Sequence, residues 1–480
     1  MFNHRFIRYV LGSVLAKIAW LMLIPLCVAI FTNGNGLAEF FTSIVITYIV
    51  SFFLTRRKPS DIRLRGKDML LLTTLIWLVS CAFGALPFIL LEHFSFTDAY
   101  FETMSGLTTT GVSVLTNITE AAPSLLMWRS TLQWLGGLGF IVMAVAILPF
   151  LNVGGMKLFR TESSDKSDKL LPQAKDVAKS IIRTYVILTA VCCIAYYWAG
   201  MTFFDAINHA FTTLSTGGFS TRDGSMNDFS ALIQWICLLF MFLGSLPFLL
   251  MVQSVQRRNI WVLFFDQQVR GFILFTLIVG AGLALWLHHN QIFDWHDSFR
   301  IAYFNLVNLM STTGFGLGNF DAWTNTTTFI FAIAFFIGGC SGSTAGGIKI
   351  FRFQIIFAVV KHQILKLMHP QSVVSVQYNR QAVAIDSIFA IAGFLLCYFI
   401  ILILGAVLVT LQGLDLETSL SIAATSIGNV GQGLGPIVGP NGSFANLSEP
   451  IKWLMVAMML VGRLEIMTVL VLFFPGFWKK

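Results

Sequence analysis

Four short strings hold the residues whose types and spacing could do chemistry: Thr109-Thr110-Gly111-Val112, Thr216-Gly217-Gly218-Phe219, Thr312-Thr313-Gly314-Phe315 and Asn429-Val430-Gly431-Gln432. Each follows an apolar segment too short to cross a membrane, and they recur at intervals of about a hundred residues, so the repetition is the signal rather than any one motif. Taken alone, a TTG string reads as a helix C-cap and turn. Four at a regular spacing, each between spanning runs, ask for more. Glycine at the third place of each string permits backbone angles that point successive carbonyls the same way. Strings of this kind meeting at an axis would present rings of carbonyl oxygens able to replace the hydration shell of a cation. An anion path would want Lys or Arg at this level, and the strings contain neither. Thr109, Thr216 and Thr312 can add hydroxyls, while Asn429 makes the fourth string the least regular.

Such strings need a scaffold in a bilayer. The 480 residues are 56% hydrophobic and 11% charged, with a mean hydropathy of +0.77, far too apolar for an ordinary soluble protein. Residues 11–30, 69–91, 125–151, 231–252, 388–411 and 451–474 are each long enough to cross about 30 Å of hydrocarbon. The first of these lacks a cleavage site and is followed by another apolar run at 39–54, so it reads as a span and not a signal peptide. A helix over 96–109 would be only about 21 Å long, and must enter and leave on one side. The non-helical string after it is tolerated only where it is buried in protein or lines a watery cavity. The expected fold is therefore an all-α polytopic membrane protein. Four pseudo-symmetric helix–pore-loop–helix repeats (66–175, 176–268, 269–380 and 381–480) surround a central pore, and two N-terminal transmembrane helices (1–65) bring the spans to ten. Short helices entering from outside would aim their partially negative C-terminal ends at the pore.

The net charge of +8 does not point to nucleic acid, because the basic residues bracket apolar runs. They cluster at Arg56–Lys67, Lys157–Lys175, Arg257–Arg270 and Lys361–Arg380 and at the C-terminus, whereas 33–39, 92–98, 115–122, 223–228 and 441–449 are nearly free of Lys and Arg. The positive-inside rule then places both termini in the cytoplasm. Seven cysteines lie in or beside apolar runs and read as small core residues. No HExxH, GxSxG or zinc-type pairing suggests an enzyme, and no segment reads as a nucleotide or organic-cofactor site. A secondary transporter also uses broken helices, but usually in two inverted halves, whereas all four units here share one orientation.

The third unit has a further break. Gly338, Gly339, Gly342, Gly346 and Gly347, with Ser341, Ser343 and Thr344 among them, interrupt a run that would otherwise cross from 329 to about 360. Close helix packing through small residues is one reading; an intramembrane loop that obstructs the pore and shifts on opening is the other. Charges within spans are functional candidates: Lys349, which follows this loop, and Arg463 and Glu465 in the last span. Arg463 is either part of the gate or a clamp on nearby carbonyls. Lys17 and Arg129 read as snorkelling side chains near helix ends. Asp98, Glu102 and Asp205 would lie near the outer mouth, concentrating cations, or, for the two aspartates, capping the short helices.

The strings TTTGV, STGGFST, STTGFG and GNVGQGLG resemble the four filter strings of the TrkH/KtrB/HKT superfamily of K⁺ transporters and channels. QWLGGLGFIVMAVAILP (133–149), GGCSGSTAGGIKIFR (338–352) and GRLEIMTVLVLFFP (462–475) are similar to the bacterial TrkH branch in particular, and the resemblance covers essentially the whole chain. It implies K⁺ uptake across the bacterial inner membrane, with K⁺ as permeant ion at the four strings. In this superfamily a serine at the first filter glycine goes with Na⁺ permeation, so Gly111 implies K⁺ selectivity. It also implies a gating loop at Gly338–Gly347 contacted by Arg463, a homodimer, and control by a separate cytosolic TrkA ring that binds NAD(H) and adenine nucleotides. The basic stretches 157–179 and 361–380 suit docking of such a ring, or binding of anionic lipid headgroups.

Overall fold

The structure is a computed structural model that describes residues 3–32, 34–58, 66–146, 170–371, 375–435, 437–439 and 442–479. The basic residues Arg63, Arg65, Lys157, Arg160, Lys166 and Lys169 lie outside these. Nearly all regular structure is helical; the described strands form only two-residue pairs, Ile337–Gly338 with Ile348–Lys349 and Gln377–Tyr378 with Gln381–Ala382.

Among the described residues, six helices are long and apolar enough to cross a membrane, or eight if each of two bent pairs counts as one span. Pro123–Ala146 and the interrupted pair Asn325–Ala334 and Ile350–Met368 occupy the places where the remaining two spans are expected. The two N-terminal runs pair closely. Gly12 leaves room for Leu54 and Thr55, where a Cβ would come within 2.8 Å of both, and the Ser51 hydroxyl donates to the Gly12 carbonyl at 2.7 Å.

Two runs expected to be straight are sharply bent. Residues 231–252 split into Ala231–Gly244 and Phe248–Gln256 at 91°. Pro247 has no N–H to continue the helix, and the freed groups pair instead with the Gly-rich loop. Cys340 N–H donates to Ser245 O at 2.9 Å, and Phe248 N–H donates to Gly342 O at 3.0 Å. Residues 451–474 split into Glu449–Arg463 and Met467–Phe473 at 109°, with Glu465 at φ 60° in the bend. Lys17 is exposed and sits mid-way along the 28-residue stretch His4–Phe31, since Leu23–Phe31 continues past the break at Met22. The helix-end reading of Lys17 is therefore corrected. Cys27 is exposed, unlike the buried Cys81, Cys192, Cys237 and Cys340.

Four short helices, Phe96–Leu107, Phe203–Leu214, Trp295–Met310 and Leu416–Gly428, precede the strings. At 12 to 16 residues they reach about 18–24 Å, less than a bilayer core. Ser95, Thr202 and Asp415 cap three of them, accepting from the N–H of Asp98, Asp205 and Thr418. Loops expected on the outside meet on one face: Asp223 accepts from the N–H of Ile118 and Thr119, and Lys452 pairs with Asp98. Lys67 instead reaches the C-terminal segment, donating to Phe477 O at 3.0 Å.

Candidate functional site

All four short helices end in one way. The residue after the C-cap is left-handed: Thr109 at φ 52°, Thr216 at 51°, Thr312 at 56° and Asn429 at 53°. The next N–H reaches back five residues, from Thr110 to Ser105, Gly217 to Thr212, Thr313 to Asn308 and Val430 to Thr425, at 2.9–3.1 Å. These are Schellman caps, which satisfy orphan carbonyls and turn the chain sharply. A β-branched threonine in this conformation is strained by about 1–2 kcal/mol, and three of the four strings accept that strain. The helix C-cap that a lone TTG suggests is thus real, and it is the device that launches each string.

The strings then close on one another in cyclic order. A Cβ built on Gly111 would strike the carbonyl oxygen of Gly217; on Gly218, that of Thr313; on Gly314, that of Val430; and on Gly431, that of Thr110. Each string's glycine thus faces the carbonyl just before the next string's glycine, and the fourth returns to the first. All four glycines also have φ between 78° and 92°, so both conformation and close approach exclude a side chain. Among the described residues, the carbonyls of Thr110, Thr313, Val430 and the four glycines accept no hydrogen bond. Unpaired carbonyl oxygens of this kind are able to replace water around a cation. Gly111, Gly218, Gly314 and Gly431 face an open vestibule, also lined by Val112, Phe219 and Gln432.

Behind the strings lies a polar frame that sequence reasoning missed. Arg129, read as a snorkelling side chain, is instead 1% exposed. Its Nε donates to Glu102 at 2.8 Å, its Nη2 to Ser113 Oγ at 3.0 Å, and its guanidinium lies 4.0 Å from the Phe219 ring. Glu102 also accepts from Val114 N–H at 2.9 Å. Gln133 holds the second string, Asn308 brackets Phe315 through both its N–H and its carbonyl, and Ser105 donates to Val112 O. Arg129 and Gln133 were visible only as residues of a long apolar helix. Their i,i+4 spacing on one face was the available clue.

The acidic residues do not present free charge to the mouth. Glu102 is fully buried against Arg129; Asp98 takes Lys452 at 2.7 Å; Asp205 takes Arg222 at 2.9 Å and Thr221 at 2.6 Å. The caps are Ser95 and Thr202, whose hydroxyls Asp98 and Asp205 accept in turn. This corrects the reading of these carboxylates as cation concentrators or as caps.

The Gly-rich loop packs against the ends of the short helices from which the strings start and touches segments from along the whole chain. Gly346 N–H donates to Thr312 Oγ1 at 2.6 Å and Gly347 N–H to Gly428 O at 2.8 Å, both at the inner ends of strings. Thr344 N–H and hydroxyl bond Gly244 O, and Ser341 N–H reaches Gln268. Gly342 faces Val145, Gly338 packs on Gly346 and Gly347, Gly339 packs on Ser245 and Ala345, and Ser343 donates to Cys340 O. Arg463 donates to Thr344 O at 2.9 Å and lies 4.2 Å from the Phe140 ring, which Lys349 also approaches at 5.2 Å. Lys349 bonds the Ala345 carbonyl, and Glu465 pairs with Arg352 rather than Arg463. Among the described residues, three buried cations, Lys349, Arg352 and Arg463, lie with the one buried carboxylate of Glu465 at this level.

Comparison with known proteins follows the same lines. A family model described as TrkH, cation transport protein, matches residues 36–480. The potassium uptake protein TrkI of Halomonas elongata is 41% identical over 98% of this chain and 96% of its own length. TrkH of Escherichia coli K12 is 36% identical over the full length of both. The crystal structure of the potassium transporter TrkH from Vibrio parahaemolyticus superposes with a TM-score of 0.92 at 31% identity, covering all of both chains. This chain is a membrane protein of the TrkH family of cation transport proteins.

Proposed function

We propose that the chain conducts K⁺ into the cell across the bacterial inner membrane, through a filter made of its own carbonyls. The observation that carries this reading is the closed cycle in which each string's glycine abuts the next string's carbonyl. Main-chain oxygens from Thr109–Val112, Thr216–Phe219, Thr312–Phe315 and Asn429–Gln432 then replace the water around K⁺ without any ionised side chain in the ring. The flanking helices form four helix–pore-loop–helix repeats, 66–175, 176–268, 269–380 and 381–480, around this axis, with 1–65 as two added spans and both termini cytoplasmic.

Gly338–Gly347 is the gate. It lies under the filter, bonded to Thr312 and Gly428, and Lys349 and Arg463 hold it there. Their positive charge in a low-dielectric setting repels a cation leaving the filter. Opening requires the loop to leave Thr344–Arg463 and Gly346–Thr312. Control of that step falls to a TrkA-like cytosolic ring that binds NAD(H) or nucleotides, docked on a homodimer of this chain, since the polypeptide is spent on membrane crossings. The chain itself is a transporter, not an enzyme.

⁸⁶Rb⁺ uptake into liposomes holding only this chain tests the reading. Uptake should be displaced by K⁺ and little affected by Na⁺ or Li⁺; uptake indifferent to added K⁺ overturns it.

A further inference from the structure

Gln133, on the helix Pro123–Ala146 of the first unit, is fully buried and spends both ends of its amide on the second string. Its Nε2 donates to Gly217 O at 2.6 Å and its Oε1 accepts from Phe219 N–H at 3.1 Å. Gly217 fits this contact because it lacks a side chain: a Cβ there would strike the Gln133 amide. One turn earlier on the same helix face, Arg129 lies over the Phe219 ring and donates to Ser220 O at 3.4 Å. Two side chains of the first unit thus fasten residues 217–220 of the second.

The oxygen that Gln133 holds is also the one that Gly111 faces. It belongs to the ring formed by the carbonyls of Thr110, Gly217, Thr313 and Val430. Among the described residues it alone of the four accepts a side-chain hydrogen bond. A carbonyl tethered from behind cannot swing inward around a smaller ion without breaking that bond, and a buried amide left unpaired is costly. The ring is then rigid at one corner, at a size set by protein rather than by the ion.

Resting on the K⁺-filter reading above, we infer that Gln133 is a positioning residue that fixes the Gly217 carbonyl and thereby sets the filter's discrimination against Na⁺. Gln133→Met keeps volume and removes both hydrogen bonds. Gln133→Leu likewise removes both hydrogen bonds with a shorter, branched side chain. The readout is the Na⁺ to K⁺ permeability ratio in liposomes, from competition of each ion with ⁸⁶Rb⁺, because a merely structural residue lowers the amount of active protein and leaves that ratio alone.

Both variants should raise relative Na⁺ permeability about tenfold, the equivalent of losing the bond that tethers the Gly217 carbonyl. Unchanged ratios in variants that still carry Rb⁺ overturn the inference while leaving the filter reading intact; wild-type uptake indifferent to K⁺ removes that reading itself. If neither variant folds, a density map of the wild-type protein decides: the Gln133 amide against Gly217 O supports the assignment, and an amide turned away overturns it.

Discussion

Replacing Gly111 by serine tests the packing of the ring directly. A Cβ at Gly111 would stand closer than 3.0 Å to Gly217 O and 3.5 Å from Thr313 O, with φ at +89°. The left-handed backbone costs a non-glycine residue about 1–2 kcal/mol. Ordinary contact begins at 3.4 Å, so the Gly217 carbonyl must retreat by about half an ångström or more. Gln133 blocks that retreat from behind at 2.6 Å, and the ring deforms as a whole. The energy that separates K⁺ from Na⁺ is worth tenfold in preference for every ~1.4 kcal/mol, so losing the strain energy alone predicts a rise in relative Na⁺ permeability of about five- to thirtyfold. The assay is ⁸⁶Rb⁺ uptake with Na⁺ and K⁺ as competitors. Gly282→Ala serves as control, because nothing lies within 4 Å of a Cβ there. A Gly111→Ser protein that transports with wild-type selectivity would refute the reasoning.

Three further outcomes follow from the same geometry. Arg463→Ala removes the bond to Thr344 O and the contact with Phe140; Rb⁺ flux should rise with selectivity unchanged, as it should on shortening Gly339–Gly346, and a fall in flux would assign Arg463 to the clamp role instead. Arg129→Met leaves the Glu102 carboxylate buried without its ion pair, a loss of about 3–5 kcal/mol; thermal unfolding in detergent should show it, with partial recovery when Glu102→Gln is added. Burial alone would raise the Asp223 carboxyl, but the Thr119 hydroxyl and N–H and the Ile118 N–H outweigh it and hold it below the usual carboxylate range. The latch between the first two outer loops therefore persists above the ordinary value of about 3.9 and is lost only as pH falls through the lower folded value. Hydrogen exchange at Ile118 and Thr119 should stay slow from neutral pH to about pH 5 and become fast in Asp223→Asn.

The strings were legible because they combine two signals that survive without a structure: repetition at a fixed interval and glycine at one place in each copy. The Gly-rich loop was legible for a similar reason, since so many small residues cannot hold a spanning helix. Neither signal reaches the frame behind the filter. Arg129, Gln133 and Asn308 lie inside helices, where sequence gives the face a side chain occupies but not which distant string it meets. Arg129 looked like a snorkelling residue because a run of apolar neighbours hides a buried partner 27 positions away. The bends at 244–248 and 463–467 were invisible for a related reason: the freed backbone groups of the first are satisfied by the loop, and the Glu465 side chain in the second pairs with Arg352, contacts that span about a hundred residues. The acidic residues near the mouth were misread because their neutralising partners, Lys452 and Arg222, come from other segments.

The central claim is that the four strings share one axis on which the permeant ion is held by main-chain oxygen. Anomalous diffraction from crystals soaked in Rb⁺ or Tl⁺ tests it most directly. The account predicts density between Gly111, Gly218, Gly314 and Gly431, equidistant from carbonyls of all four strings. Ion density elsewhere in the molecule, with that axis empty in a protein that transports Rb⁺, would contradict it.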